Sequence, residues 1–289
     1  MSIARRLAMM IVASSVLWPP RGADGALLAY DAFDYAPAGS DLLGNAGGSG
    51  FATSWRAGGF NASNHSNYDI QGGSLSFGGL RTNGNRVQSS SIQAIGGLTR
   101  DFNTPLGAPG TTRYISFLLR PEGTLNAGAF NGFLGVVIEQ PLEPELFIGK
   151  PGGGAVNRYV MEDRGGAVQT VSTTAPVVGE TVFFVLKAVF ATGNDQFTLF
   201  VNPVPGAPEP VGGLTKSNSD VGNVAGLTIY STGAFSADEF RLGETFADVT
   251  PIPEPAAMPQ LLLLAVGVSF LARQLVRKLP STLSCDALR

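Results

Sequence analysis

The sequence predicts an all-β protein in which two antiparallel sheets pack as a sandwich, and three features of the residues lead to this prediction. Gly (38 residues) and Pro (19 residues) are abundant while only 14% of residues are charged, a composition that suits short strands joined by tight turns. Strand patterns return about every 10 to 15 residues between positions 27 and 250, with no long amphipathic helix among them. Apolar residues occupy both faces of the central strands, as expected when a second layer covers a sheet.

The clearest strand covers residues 181–190, where every second side chain is apolar and Lys187 marks the opposite face. A Gly/Asn turn at residues 191–195 leads into a second strand at 196–201, so the two are predicted to form a hairpin. The Pro- and Gly-rich residues 202–213 then form a long surface loop. Further strands are predicted at residues 112–119, 133–138, 227–230 and 239–242.

Charge and cysteine content narrow the class of protein. Between residues 27 and 255 there are 12 basic and 20 acidic residues, a net charge of −8, so the body lacks the basic surface that binds phosphate and nucleic acid is not an expected partner. The single cysteine, Cys285, cannot form an intramolecular disulfide. The body of ~225 residues is large enough to be stable as one domain without disulfides.

The amino-terminal 26 residues have the features of a cleavable secretory signal peptide. Arg5 and Arg6 precede an apolar run at residues 7–17, and Pro19 and Pro20 end it before small residues at 23–26. The eleven residues of this run span about 17 Å as a helix, which is too short for a ~30 Å hydrocarbon core. Residues 27–250 are therefore predicted to be exported as a single β-sandwich domain.

The carboxyl-terminal region, residues 251–278, combines a Pro-Glu-Pro motif, an apolar stretch and a basic cluster. Residues 256–272 reach about 26 Å as a helix, which predicts a single and marginal transmembrane helix. Basic residues after it are expected to stay on the cytoplasmic side of the membrane. The residues of this predicted signal are Pro253, Glu254, Pro255, Arg273, Arg277 and Lys278.

This arrangement resembles the PEP-CTERM sorting signal. The resemblance implies an inner-membrane-anchored precursor, an exosortase-type protease that cleaves near Pro-Glu-Pro, and a mature protein at the cell surface or outside the cell in a bacterium that makes exopolysaccharide. Signals of this family usually end at the basic cluster, whereas residues 279–289, with Cys285, follow here as an atypical tail.

Short segments of the body are similar to exported proteins with a concanavalin A-like, laminin G-like jelly roll. The resemblance covers most of the body, and it implies a jelly-roll form of the predicted sandwich without defining an activity. The segments are residues 30–35 (YDAFDY), 47–51 (GGSGF) with Trp55, 73–77 (GSLSF), 114–118 (YISFL), 200–203 (FVNP) and 238–243 (DEFRLG).

Aromatic and Asn side chains between residues 35 and 68 are candidates for binding a glycan, because sugar rings stack on aromatic faces while their hydroxyls need donors and acceptors. The alternative is that the aromatic residues pack in the core. The candidates are Trp55, Tyr35, Phe60 and Tyr68, with Asn61 and Asn64 beside them.

Catalytic and metal-binding patterns are weaker. Glu139, Glu143 and Glu145 are the densest acidic group, but Pro141 and Pro144 interrupt the alternation that one strand would need to present them together. His65 is the single histidine, and no Gly-x-Ser-x-Gly motif accompanies it. No cofactor is predicted, and calcium is an open alternative without a defined loop among Asp195, Asp220 and Asp238.

Three functions remain open from the sequence. The first is a non-catalytic exported protein that contacts exopolysaccharide at the cell surface. The second is a jelly-roll glycoside hydrolase or polysaccharide lyase. The third is a purely structural component of the extracellular matrix.

Overall fold

The computed structural model describes residues 27–35, 38–58, 68–89, 96–123, 134–139, 145–152, 157–163, 167–231 and 233–253. Over these ranges the protein is all-β, with fifteen strands and one short helix, α1, at Phe246–Val249. The strands form two antiparallel sheets, which confirms the predicted all-β class and two-sheet arrangement. No helix within the described ranges is long and apolar enough to cross a bilayer. The predicted signal peptide and the apolar residues 256–272 lie outside the described residues.

The first sheet has eight strands in the described part of the chain. These are β1 Ala29–Asp31, β3 Tyr68–Gln71, β4 Arg86–Ser89, β6 Thr112–Pro121, β11 Val182–Val189, β12 Asp195–Val201, β13 Leu214–Ser219 and β15 Phe235–Gly243. Hydrogen-bonded neighbours follow the order β13-β12-β11-β6-β15-β4-β3, and β1 pairs with the carboxyl-terminal part of β15.

The second sheet contains the other seven described strands. These are β2 Arg56–Ala57, β5 Gly96–Leu106, β7 Leu134–Glu139, β8 Leu146–Lys150, β9 Val160–Asp163, β10 Ala167–Val171 and β14 Val224–Ser231. Their order is β10-β9-β8-β7-β14-β5-β2. Both sheets therefore combine strands from distant parts of the chain.

The main core lies between the two sheets. Every second residue of β11 enters it, as the alternating pattern at residues 181–190 predicted, and β11 pairs with β12 as the predicted hairpin. Phe184 packs against Phe117 of the neighbouring strand and against Tyr159, with ring centroids 5.4 and 5.0 Å apart. These contacts join the first sheet to residues that lead into the second.

A second apolar cluster covers the outer face of the first sheet, which explains why the central strands are apolar on both faces. Leu118 and Phe183 are buried there against Phe246 and Val249 of α1. The helix begins with a capping box formed by Thr245 and Asp248, in which each residue's side chain accepts a hydrogen bond from the other's backbone N–H. A helix this short depends on tertiary packing rather than on helix propensity.

The edges of the two sheets meet at β13 and β10. The buried Lys216 of β13 donates a hydrogen bond through Nζ to the Val168 carbonyl oxygen of β10 at 3.0 Å and lies 3.4 Å from an Asp163 carboxylate oxygen. Ser219 hydrogen-bonds to the same carboxylate. These contacts link the two edges, so neither is left fully open for pairing with another chain.

Candidate functional site

Many of the residues predicted to act in sorting or binding lie outside the described part of the chain. Pro253 is the last described residue, at the start of the Pro-Glu-Pro motif. The residues outside are Glu254, Pro255, Arg273, Arg277, Lys278, Phe60, Asn61, Asn64 and His65. Their predicted roles remain predictions.

The three described aromatic candidates for glycan binding are core residues. Trp55, Tyr35 and Tyr68 expose 0%, 7% and 1% of their surface. The Trp55 ring stacks on Phe33 with centroids 5.7 Å apart, and the Tyr68 hydroxyl is hydrogen-bonded to Ser231 Oγ at 3.1 Å. A sugar ring cannot stack on a covered face, so the predicted stacking platform is corrected to core packing for these three side chains.

A buried ion pair explains why Trp55 and Tyr35 face inward. Asp31 and Arg100 form this pair, with side chains 1% and 3% exposed. The Asp31 carboxylate also accepts hydrogen bonds from Tyr35 Oη at 2.6 Å and Trp55 Nε1 at 3.0 Å. The guanidinium lies 4.2 Å above the centre of the Phe51 ring. The YDAFDY motif and Trp55 thus form a hydrogen-bonded core cluster, which we call the Asp31 cluster.

The glycines of the GGSGF segment bring its backbone close to this cluster. The Gly47 carbonyl oxygen accepts a hydrogen bond from Arg100, and a Cβ at Gly47 would lie 2.5 Å from the Tyr35 ring. At Gly50, φ is +80° and a Cβ would lie 2.0 Å from the Leu28 carbonyl oxygen. Only glycine combines this left-handed conformation with such a close approach. These contacts give the glycines of this segment a role in packing.

A second buried charge cluster occupies the outer side of β15, within the DEFRLG segment. Glu239 has a φ of +56° at a bulge in the strand and forms an ion pair with Arg241. Its carboxylate also accepts hydrogen bonds from Tyr30 Oη at 3.0 Å and from the Asn83 backbone N–H. Arg241 donates a further hydrogen bond to the Arg81 carbonyl oxygen at 2.7 Å. These contacts tie β1, β15 and the chain before β4 together.

The neighbouring Asp238 carboxylate is also buried. It accepts hydrogen bonds from Ser74 Oγ and from the Leu75 backbone N–H at 2.7 Å. Burial raises the pKa of Asp238 well above its usual range, and the charge on Glu239 raises it further, although these hydrogen bonds oppose the shift. The folded protein therefore binds a proton at Asp238 more tightly than the unfolded chain does.

This shift predicts that the free energy of unfolding falls as the pH rises. From the unfolded pKa of ~3.9 up to the raised folded pKa, the folded state holds more protons, which gives a slope of up to about −1.4 kcal/mol per pH unit from this group. Asp238→Asn should remove that contribution to the slope even though it weakens the local hydrogen bonds. Denaturant unfolding at a series of pH values measures the slope, and an identical slope in the variant would contradict the assignment.

Among the described acidic candidates, Glu139 and Glu145 lie close together across the antiparallel β7–β8 pair, whose register sets Ile138 opposite Leu146, whereas Asp195 lies on β12 of the other sheet. Glu139 ends β7 and Glu145 precedes the antiparallel neighbour β8, so the two do not alternate on one strand. Asp195 accepts hydrogen bonds from the backbone N–H groups of Ala191 and Val221, both at 3.0 Å. Within the described ranges no group of three or more His, Cys, Asp or Glu side chains is arranged to hold a metal ion.

An open groove lies on the outer face of the first sheet, and Glu209 is one of the residues that line it. Its cavity volume is about 530 Å³, within the ~300–1,000 Å³ typical of small-ligand sites. Glu209 accepts hydrogen bonds from Tyr114 Oη at 2.6 Å and from Lys187 Nζ at 2.8 Å. We call this the Glu209 groove; its lining includes Thr112, Tyr114, Lys187, Glu209, Glu244 and Phe246.

The polar groups of the Glu209 groove stabilise one another's protonation states. Partial burial disfavours ionisation of Glu209, but the hydrogen bonds from Lys187 and Tyr114 outweigh it, so the pKa of Glu209 is lowered. The hydrogen bond to Glu209 in turn raises the pKa of Lys187. Burial and the same carboxylate raise the pKa of Tyr114. At neutral pH the groove thus presents a carboxylate, an ammonium and a phenol at fixed positions.

The Glu209 groove was not predicted from the sequence, although two signals for it were present. Lys187 was placed on the face of its strand opposite the core, and Glu209 falls in the predicted surface loop at residues 202–213. Lys187 lies on β11, Tyr114 lies on β6 and Glu209 lies in the loop, and local patterns do not report contacts among such separate segments. Both side chains remain about 30% exposed, at 29% for Lys187 and 31% for Glu209.

The fold and the site define a two-sheet antiparallel β-sandwich with a polar groove on an outer face. No protein-family model and no curated protein matches the sequence.

Several solved structures resemble the chain at low identity. Domain 4 of AbnA, a GH43 extracellular arabinanase from Geobacillus stearothermophilus in complex with arabinotriose, has a TM-score of 0.46 and 13% identity, covering 78% of this chain and 97% of that one. The endo-1,3-beta-glucanase from Streptomyces sioyaensis has a TM-score of 0.41 and 9% identity, with coverage of 78% and 98%. The Emp47p carbohydrate recognition domain has a TM-score of 0.36 and 8% identity, with coverage of 62% and 88%.

Proposed function

We propose that this chain is the precursor of an exported, non-catalytic β-sandwich module that binds a polysaccharide in the Glu209 groove. In this proposal residues 1–26 are a signal peptide and residues 251–278 are a PEP-CTERM sorting signal processed by an exosortase-type protease. The mature body, a concanavalin A-like jelly roll, then acts at the cell surface or outside the cell. The charge pattern of both ends and the Pro-Glu-Pro motif support the export part.

The chemistry of the Glu209 groove supports the binding part and is the observation that carries the proposal. Its charged side chains include both signs, because Lys187, Glu209 and Glu244 all line it and Lys187 pairs with Glu209. Hydroxyl groups on Thr112 and other lining residues can both donate and accept hydrogen bonds. Ala207, which is partly exposed, and Pro208, which is exposed, contribute apolar surface. Mixed donors and acceptors beside an apolar wall match a polyhydroxylated ligand of low net charge.

The hydrogen bonding of the buried acids supports a non-catalytic module. Glycoside hydrolysis needs two carboxyl groups about 5–9.5 Å apart that are accessible to substrate. Asp31, Asp238 and Glu239 are each at most 1% exposed, and each is bound to protein donors. Their geometry serves packing between strands. Of the two carboxylates that line the groove, Glu209 is paired with Lys187 and Glu244 lies 3.6 Å from Arg113.

Replacing Glu209 by Ala should weaken polysaccharide binding roughly tenfold or more, because a charge-assisted hydrogen bond contributes about 1.5–3 kcal/mol and its loss also releases Lys187 and Tyr114. Affinity electrophoresis of the body, residues 27–252, in gels that contain one polysaccharide each from a panel measures this. Glu180→Ala is the matched control, since Glu180 is exposed in a loop outside the groove. Its retardation should equal that of the parent domain.

The same panel distinguishes the alternative functions. Release of reducing sugar by the parent domain would favour the hypothesis of a glycoside hydrolase or lyase over that of a non-catalytic module. If no polysaccharide retards the domain and no reducing sugar is released, the result would favour a purely structural matrix component. Equal retardation of the Glu209→Ala variant and the parent domain would place binding outside the Glu209 groove.

A further inference from the structure

The Glu209 groove crosses three neighbouring strands of the first sheet. Lys187 of β11 is opposite Tyr114 of β6, and Tyr114 is opposite Gly243 at the end of β15. Glu244 follows directly and is one of the residues that line the groove. Its backbone is held in place, because its N–H donates a hydrogen bond to Asp248 Oδ2 at 3.0 Å where α1 begins. The strand order and the start of α1 therefore fix the position of Glu244 at the groove.

Glu244 is the most exposed of the three charged side chains that line the groove. Its side chain is 62% exposed, whereas those of Glu209 and Lys187 are 31% and 29% exposed. Arg113, the ion-pair partner of Glu244, lies 3.6 Å away and donates a hydrogen bond to the Thr112 carbonyl oxygen at 2.8 Å. A ligand in the groove therefore meets the Glu244 carboxylate more directly than it meets the other two charges.

The charge around the groove is acidic on balance. The basic side chains are Lys187 and Arg113, and the acidic ones are Glu209, Glu244 and the buried Asp248, which binds the Glu244 backbone N–H. The body between residues 27 and 255 also carries a net charge of −8. A ligand carboxylate would be repelled by Glu244, and it would have to compete with Glu209 for Lys187.

We propose that the Glu209 groove selects uncharged polysaccharides over those that contain uronic acids, and that Glu244 determines this selectivity. The inference rests on the proposed function, which places polysaccharide binding in this groove. Sugar hydroxyls can donate hydrogen bonds to the Glu244 carboxylate, and a neutral chain brings no charge that opposes it. A uronate brings a like charge to the same place, and such repulsion discriminates between two ligands without any added contact to the preferred one.

Binding of the full chain, in non-ionic detergent, to beads that each carry one polysaccharide tests this selectivity. The neutral probes are laminarin, dextran and galactomannan, and the acidic probes are alginate and polygalacturonate. We expect the parent protein to bind at least one neutral probe about tenfold or more tightly than either acidic probe.

Glu244→Lys should tighten binding to the acidic probes about tenfold or more, because it replaces repulsion by attraction. The gain should shrink at 1 M salt, where the Debye length is about 3 Å. Glu180→Lys is the matched control, since it changes the net charge equally on an exposed loop residue outside the groove. It should leave the order of the five probes as it is in the parent.

The outcomes separate the inference from the proposed function. A parent protein that binds an acidic probe as tightly as its best neutral probe overturns the selectivity and leaves polysaccharide binding in place. Equal gains for Glu244→Lys and Glu180→Lys would assign the preference to net charge and overturn the role of Glu244. Binding to none of the beads overturns the proposed function and the inference together. An unchanged midpoint of denaturant unfolding in each variant verifies that the body has kept its fold.

Discussion

Replacing Asp31 by Ala should lower the free energy of unfolding by about 3–5 kcal/mol, because it leaves the buried Arg100 without its carboxylate. The loss also removes the acceptor of the hydrogen bonds from Tyr35 and Trp55. The free energy of unfolding of a domain is only about 5–15 kcal/mol, so this loss would remove a large part of it. Guanidinium unfolding of residues 27–252, followed by Trp55 fluorescence, measures the change at the centre of the cluster.

Two matched variants test the cause of this loss. Asp34 belongs to the same motif but is exposed. Asp34→Ala should therefore change the free energy of unfolding by no more than about 0.5 kcal/mol. Asp31→Asn keeps one acceptor oxygen and should fall between Asp31→Ala and the parent. A cost for Asp31→Ala as small as that of Asp34→Ala would refute a structural role for the Asp31 cluster.

Replacing Glu239 by Ala should have a similarly large effect, again about 3–5 kcal/mol, because Arg241 would then be buried without its ion-pair partner. Tyr30 and Asn83 would lose a hydrogen-bond acceptor as well. Glu239→Gly should be less damaging by roughly 1 kcal/mol, since φ at this position is +56° and glycine adopts that conformation without strain. Denaturant unfolding of the same domain measures both variants.

A double-mutant cycle isolates the ion pair from the other contacts of Glu239. Arg241→Met removes the charge while it keeps an apolar side chain of similar length, and the double variant Glu239→Ala with Arg241→Met should cost less than the sum of the two single changes. Strict additivity would show that the two charges do not depend on each other, and it would contradict the assigned ion pair.

Some of the long strands were predictable because their residues carry the signal themselves, although the longest described strand, β5 Gly96–Leu106, was not predicted. Residues 112–119 and 181–190 were predicted from local apolar patterns, and they correspond to β6 Thr112–Pro121 and β11 Val182–Val189. The short strands β2, Arg56–Ala57, and β4, Arg86–Ser89, were missed. A strand of two to four residues is too short to establish an alternating pattern, and it forms because a neighbouring strand supplies hydrogen bonds.

The sites were less predictable because their members are far apart in the chain. Asp31 and Arg100 are 69 positions apart, and Tyr30 and Glu239 are 209 positions apart. Trp55 beside Asn-rich residues was a reasonable candidate for sugar stacking until the pairing of β1 with β15 and the position of Arg100 placed it in the core. An aromatic residue looks the same in the sequence whether a strand or solvent covers its ring.

By itself the sequence determined the all-β class, the central hairpin and the presence of apolar layers on both faces of the middle strands, because these follow from which side chains share a face of one segment. The tertiary structure alone decided which aromatic rings are covered, which acids meet which basic residues, and that Glu209 meets Lys187 and Tyr114 in an open groove. These outcomes depend on the order of strands across two sheets, and that order arises from contacts among distant segments rather than from any one of them.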